Sequence, residues 1–414
     1  MELLPTISGN MKLKVSEKTV RNWFHELNYV YDTCKKGIFH DGHERDDVVK
    51  YRKEFLETMA SYLPFMATYE GDEMIEIPPV LPRGTKIIVY VNHDETTCYA
   101  NDDMKTIWIE KGETILKKKG MGLSLMVSDF YCECHGLMIA TINGYEIKGR
   151  EIIHAGKNRD GWWTNEDLVK QLKKVIQIFE VLHPDCLALF AFDNSQNHNA
   201  CAPDALVANR IPFGDNVKTP IIRDGWWSDG NIIHQQKMQV RVRKPNGDVV
   251  IMPKGINRIL TERGLMKKFS LKCTGECTSV ECCARSLLSN QPDFKAHKTW
   301  LEEIVVEAGH LMILIPKFHC ELAFIEMVWC EMKRQARELC DYSFNSLNES
   351  IPAILDGMDV KKVRRFARYC FRYMNAYRNV LSGKMADYAV KKYKGHRIIP
   401  NPEKISAEFE RQKQ

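Results

Sequence analysis

Between positions 165 and 182 apolar residues recur every third or fourth place, at Leu168, Val169, Leu172, Val175, Ile176 and Phe179. That period predicts an α-helix with one buried face. Helical patterns are also read over 46–62, 299–308 and 322–339. Around them lie short apolar runs that predict strands: 86–92 (KIIVYVN), 106–109, 123–130, 136–142, 186–192 (CLALFAF) and 311–315 (LMILI). Strands and helices interleaved in this order predict an α/β domain.

The ends of these elements carry acids. The first strand runs into His93-Asp94-Glu95, the strand at 186–192 delivers Asp193, and the helix at 322–339 carries Glu326. Buried strands that finish in carboxylates set acids at a sheet edge. Acids converging there resist ionisation unless a cation neutralises them. Mg²⁺ is hard and prefers oxygen ligands, so Asp and Glu suit it. Two such ions about 4 Å apart can activate a nucleophilic oxygen and stabilise the leaving oxygen of a phosphodiester.

Composition narrows the class. The 414 residues are 44% hydrophobic and 27% charged, the proportions of a globular protein of two or three domains, which excludes dominant disorder and small disulfide scaffolds. No apolar run approaches the roughly 20 residues that cross a bilayer. Residues 1–18 lack the apolar stretch of a secretory leader. The 14 cysteines are therefore expected in a reducing compartment, as free, buried or metal-bound thiols.

A net charge of +5 argues at first against a nucleic-acid partner, but its distribution argues the other way. Residues 361–397 hold twelve Lys/Arg, among them Arg364, Arg365, Arg368 and Arg372, against one acid, Asp387. Aromatic residues interleave, with Phe366, Tyr369 or Cys370, and Tyr373 at helical spacing. The segment reads either as a solvated helical face or as a surface that neutralises phosphates. Near the start, SEKTVRNWFHELNYVY (16–31) offers Ser16 as N-cap and an apolar stripe of Val20, Trp23 or Phe24, and Leu27. Lys18, Arg21, Asn22 and His25 are left on other faces, in the manner of a helix-turn-helix recognition helix. An ordinary amphipathic helix is the alternative. Too little chain precedes it for a three-helix unit, and 32–42 reads as a wing.

Two cysteine groups stand out. LKCTGECTSVECCARS places Cys273, Cys277, Cys282 and Cys283 within eleven residues, enough for a structural Zn²⁺. The spacing C-x3-C-x4-CC departs from paired C-x2-C knuckles, so three of them with a distant ligand such as His234 is an easier arrangement. Buried or free thiols are the alternative. In YCECHG, Cys132, Cys134 and His135 fall in a strand-to-strand connection, where plain thiols are the expected state and zinc the alternative. His198, five residues after Asp193, is read as a contact to substrate phosphate or to a neighbouring carboxylate, or as structural.

HDETTCYAND (93–102), LFAFDNSQNH (189–198) and PKFHCELAFIEMVWCEMKR (316–334) resemble the three acidic motifs of DDE transposases, closest to the mariner-like group. DGHERDDVVKYR (41–52), GKNRDGWWTNEDL (156–168) and CCARSLLSNQPDF (282–294) are similar to motifs of a fungal DDE endonuclease branch. The resemblance runs from about Val15 to Arg397. It implies an RNase H-like mixed sheet flanked by helices, with an inserted subdomain, an N-terminal helix-turn-helix-like segment and a C-terminal helical region. It further implies Asp94, Asp193 and Glu326 as ligands of two Mg²⁺ (or Mn²⁺) ions, and cleavage of transposon ends with joining of the 3′-hydroxyl to target DNA. Lys333 and Arg334 match the basic pair after the third acid and are expected on DNA.

There are 98 residues between Asp94 and Asp193 but 132 between Asp193 and Glu326, so 199–291 reads as the insertion. The expected divisions are 1–75, 80–198, 199–291, 292–345 and 346–414. A homodimer or higher oligomer on DNA, in the nucleus, is expected by analogy; neither a membrane nor a small-molecule substrate is. KKVRR (361–365) is a candidate import signal. Ala323 stands where the family carries Asn, a departure that fits the alternative of a domesticated or inactive DNA-binding relative. A nuclease without a joining step is a third reading.

Overall fold

The computed structural model describes residues 16–27, 42–104, 117–216, 219–243, 247–267, 270–273, 279–381, 383–393 and 402–413. The strand expected at 106–109, the wing at 32–42 (except Gly42) and Cys277 lie outside them. The chain divides into two units, Met1–Phe39 and His40–Gln414. In the first, the described residues form helix α1 (Glu17–Glu26), capped by Ser16, whose Oγ accepts the Thr19 amide at 3.2 Å. Lys18, Arg21, Asn22 and His25 are exposed on it, and so are Trp23 and Leu27 of the expected apolar stripe.

The second unit begins with α2 (Asp46–Tyr62) and a small hairpin, β1 (Thr68–Glu70) with β2 (Ile75–Ile77). Next come β3 (Ile88–Tyr99), β4 (Ser124–Cys132), β5 (Gly136–Leu137), the hairpin β6 (Ile139–Ile142) and β7 (Tyr145–Lys148), and β8 (Glu151–Ile153). Helix α3 (Asn165–Leu182) and β9 (Leu187–Phe192) follow. Two hairpins come after, β10 (Gly225–Asp229) with β11 (Ile232–Gln236) and β12 (Gln239–Arg243) with β13 (Val249–Pro253). Short helices α4 (Ile256–Glu262), α5 (Ala284–Ser289) and α6 (Pro292–Lys295) lead to α7 (Trp300–Glu307) and β14 (Leu311–Leu314). The chain ends in α8 (Phe324–Glu338), α9 (Phe344–Asp356), α10 (Val360–Arg378), α11 (Gly383–Lys392) and α12 (Pro402–Lys413). Among the described residues no helix is long and apolar enough to cross a membrane.

The central sheet has six strands, in the order β14-β9-β3-β4-β5 with β8 also on β4. β3, β9 and β14 are mutually parallel; β4 is antiparallel to β3. This is the mixed sheet flanked by helices that the sequence predicts. Its two faces are covered differently because strand side chains alternate. Val89 and Val91 point to a core shared with Leu168, Leu172, Val175 and Phe179 of α3 and Leu301 and Val305 of α7. Tyr90 points the other way, 5.9 Å between ring centres from Phe324 on α8 and from Phe371 on α10.

Two strands differ from expectation: the run at 136–142 is divided between β5 in the central sheet and β6 in a separate hairpin, and β3 is longer than read. β3 does not end at Asn92; it continues through His93-Asp94-Glu95 to Tyr99, paired with β4 throughout. Asn92, His93, Asp94 and Glu95 are tolerated in a buried strand because each side chain has at least one hydrogen-bond partner, as shown below. The α3 start is fixed by a capping box: Thr164 accepts the Asp167 amide, and the Asp167 carboxylate accepts the Thr164 amide. Thr164→Ala is expected to lower stability by about 1 kcal/mol in denaturant titration.

Residues between 206 and 294 form a second apolar cluster of their own, including Leu206, Ile211, Met238, Ile256, Ile259, Leu260, Leu288 and Phe294. The C-terminal basic stretch is less free than its charge suggests. Arg372 is buried and donates to the Tyr393 carbonyl. Arg364 donates to the carbonyls of Glu133, Cys134 and Met74. On the phosphate-binding reading both would face DNA; both instead satisfy main-chain oxygens between packed elements. Arg365 is exposed and donates to the Asp72 carbonyl, and Arg368 is half-buried.

Candidate active site

The three expected acids come from three elements that the sheet order brings together. The last parallel pair of β3 and β9 is Asn92 with Ala191. Asp94 and Asp193 both stand two residues beyond it, one still inside its strand and the other just past the end of β9. Glu326 lies in the first turn of α8, the helix that covers the Tyr90 face. Alternation along β3 sends the even-numbered Asn92 and Asp94 toward that helix. Trp329 Nε1 donates to Asp94 Oδ2 at 3.0 Å, and the Ile325 amide donates to Asn92 Oδ1 at 3.2 Å.

The second bond bears on Ala323. That residue occupies the N-cap of α8 and offers no side-chain acceptor. Asn92, fully buried on β3, supplies an oxygen to a first-turn amide from across the interface. Asn92→Leu is therefore expected to cost about 1–3 kcal/mol in unfolding free energy, because it leaves that buried amide unpaired.

The acids oppose one another's ionisation. Burial, then the carboxylates of Glu326, Glu95 and Asp193, push the Asp94 acid well above the usual range. Burial also raises Glu326; the Lys333 charge works against this and Asp193 adds to it. Asp193 behaves differently. Burial disfavours its charge, but the hydrogen bonds and charge of His198 outweigh that and hold it below the ordinary value. Among the described residues, Asp94, Asp193 and Glu326 do not form a group with ligand atoms all within 4.8 Å of one another.

The opposite face of β3 carries two groups, His93 and Glu95, that had no role assigned from sequence. His93 and Glu95 point away from α8. His198, itself buried, hydrogen-bonds the Asp193 carboxylate through Nδ1, and its Nε2 lies 3.6 Å from Glu95 Oε2. Burial lowers its basicity, yet Asp193 and Glu95 raise it to about 10, so it is an imidazolium at neutral pH. Of the readings open for His198, contact with a neighbouring carboxylate is the one the geometry carries. Trp163 Nε1 donates to Glu95 Oε1 at 2.9 Å. His93, pushed down to about 3 by burial, is neutral and bonds Ser128 Oγ at 2.9 Å. Glu95 was legible in principle: a second acid one residue after Asp94 on a strand must face the other side.

The remaining expected residues are spread out. Lys333 is half-buried on α8, beside a small cavity lined by Cys98, Asp102 and Cys340. Arg334 is exposed but paired with Glu331 at 2.8 Å. The thiols of Cys273, Cys282 and Cys283 lie within 4.8 Å of one another. His234 is not among them; it stacks on Trp227 at 4.3 Å across a hairpin.

No protein-family model and no curated protein matches the chain. Among solved structures it is similar to the Mos1 mariner paired-end complex with Mn, at a TM-score of 0.46 and 10% identity, over 95% of this chain and 78% of that one. The Mos1 paired-end complex with Mg gives 0.45 and 10%, over 95% and 77%. The Mos1 strand transfer complex gives 0.44 and 9%, over 95% and 77%.

Proposed function

We propose that the chain is a metal-dependent DDE-type DNA transposase that cleaves transposon ends and joins the freed 3′-hydroxyl to target DNA. The observation that carries this reading is the equal offset of Asp94 and Asp193 beyond their last paired residues, with the first turn of α8 and its Glu326 laid against the same face of β3. The donor set suits Mg²⁺ or Mn²⁺, being all carboxylate oxygen and composed of acids that raise one another. Such ions, when bound, would supply activation of the attacking oxygen and stabilisation of the leaving one.

The chain's own residues do the positioning. Trp329 fixes one oxygen of Asp94, Asn92 anchors the turn bearing Glu326, and His198 orients Asp193 from behind. Arg365 and Arg368, with Lys18, Arg21, Asn22 and His25, are the proposed DNA contacts, and transposon ends and target DNA the proposed partners. Dimer or higher assembly, nuclear location and the division at 1–75, 80–198, 199–291, 292–345 and 346–414 belong to the same reading. The thiols of Cys273, Cys282 and Cys283 are proposed to hold a structural Zn²⁺. Cleavage of plasmid DNA bearing the element's terminal repeats, in Mg²⁺ or Mn²⁺ and in EDTA, tests the proposal. Metal-dependent nicking at the repeat ends is the expected result. Retained DNA binding with no cleavage by the wild-type chain would overturn it in favour of a binding-only relative.

A further inference from the structure

Two cysteines and two histidines meet at the far end of the central sheet from Asp94. Cys132 closes β4; Cys134 and His135 form the turn into β5; His183 is the C-cap of α3. The sulfurs of Cys132 and Cys134 and a ring nitrogen of His183 all lie within 4.8 Å of one another. Cys132 Sγ is 3.8 Å from His183 Nε2, and His135 Nδ1 is 3.2 Å from the same nitrogen. We propose that Cys132, Cys134, His135 and His183 form a structural zinc site.

The distances carry the proposal. Tetrahedral zinc with Zn–S about 2.3 Å and Zn–N about 2.0–2.1 Å sets its ligand atoms about 3.3–3.8 Å apart. The Cys132–His183 and His135–His183 separations fall at or beside those limits. Charge is also balanced: two thiolates and two neutral imidazoles bring a divalent cation to zero, which a buried site favours over an isolated charge.

The turn is built to present these ligands. The His135 amide donates to Cys132 Sγ at 3.4 Å, the kind of support that keeps a ligating thiolate anionic and aimed. Arg364 grips the carbonyls of Glu133 and Cys134 at 3.0 and 2.9 Å, fixing the intervening backbone. Gly136, at φ +74°, lets the chain reverse directly after His135. The Phe179 ring lies 4.8 Å from that of His183, so the fourth ligand is held by the apolar core of α3. A bound ion would tie the β4–β5 turn to the end of α3. It would act independently of the Asp94 site.

The test is zinc content of the reduced, desalted full chain, compared with His135→Ala and Cys134→Ser. His135 is exposed, so its replacement is the gentler probe of the fold. Wild type should hold one equivalent of zinc more than either variant. His135→Ala should bind Zn²⁺ at least about tenfold more weakly in competition with a chromophoric chelator, with an unchanged circular dichroism spectrum. After Co²⁺ loading, the difference between wild type and His135→Ala should show tetrahedral ligand-field bands. Equal zinc content in all three proteins, or a Cys132–Cys134 disulfide in the freshly reduced and desalted chain, would overturn the proposal.

Discussion

Asp193→Asn should reduce metal-dependent cleavage at least about a thousandfold, the equivalent of roughly 4 kcal/mol in the barrier, and should also lower stability measurably, because the buried His198 loses one of its two carboxylate partners. Asp193 stands just past β9 with its side chain 53% exposed, so the amide fits without a steric cost. What it loses is the negative charge. Asp193 is the one acid of the three whose ionisation the fold itself promotes, through the buried imidazolium of His198. Asp94 and Glu326 are both held toward neutrality by burial and by the other acids. Of the three acids, Asp193 is thus the one the fold favours as a carboxylate, and a bound divalent cation would draw on that charge. Glu95→Gln gives the contrast. Glu95 faces the other side of β3 and acts through His198, so a loss of about tenfold is expected, consistent with one weakened supporting contact around a metal ligand. Single-turnover nicking rates separate the two. Equal losses for both variants would sink the assignment of Asp193 as the ligand and Glu95 as its support.

The largest stability effect is expected at Asp293→Ala, a loss of about 3–5 kcal/mol. Arg263 and Asp293 form a buried pair, their side chains 0% and 1% exposed. The guanidinium donates to both carboxylate oxygens at 2.9 and 2.7 Å and to Gln236 Oε1 at 2.8 Å. Asp293 also accepts the Trp226 amide at 3.0 Å. Removing the carboxylate strands a buried cation and a main-chain donor at once. Denaturant titration of the single variant measures the loss. The double variant Arg263→Met, Asp293→Leu should recover much of it, since apolar replacement of both partners removes the unpaired charge. No recovery in the double variant would mean that packing, not charge, is what the pair provides.

Much of the frame was legible because it rests on local rules. The helix at 165–182 has the expected bounds since its period and its capping box agree. The strand runs at 186–192 and 311–315 come out within a residue, being apolar on both faces. The matching offsets of Asp94 and Asp193 follow once strand order is known, but no local pattern gives strand order. β3 was read too short because HDETTCY looks like a polar turn. Its polar residues are affordable only through partners far away in sequence: Ile325, Ser128, Trp329 and Trp163. The same distance hides the meaning of the accessory motifs. In DGHERDDVVKYR, His43 bonds Tyr377 at 3.2 Å, and Arg52 lies over the Tyr377 ring at 4.8 Å, so the motif anchors α2 against α10. In the 156–168 motif, Trp163 reaches Glu95 and Thr164 caps α3. In the 282–294 motif, Asp293 completes the buried pair. A count of Lys and Arg cannot see that Arg364 and Arg372 are spent on main-chain carbonyls inside the fold.

The alternation of β3 has a consequence for how such a chain can vary. Within four consecutive residues the strand sends Asn92 and Asp94 to one face and His93 and Glu95 to the other, and each finds a fixed partner there. Adding or deleting a single residue upstream within the strand would exchange the faces, turning Asp94 toward His198 and Glu95 toward Trp329. The stretch after Asp193, in contrast, leaves the sheet and absorbs a long excursion with its own apolar cluster before returning to β14. Length variation is thus tolerated after the second acid and forbidden around the first, and variants carrying small insertions across 88–99 should be the rarest survivors of any random indel library.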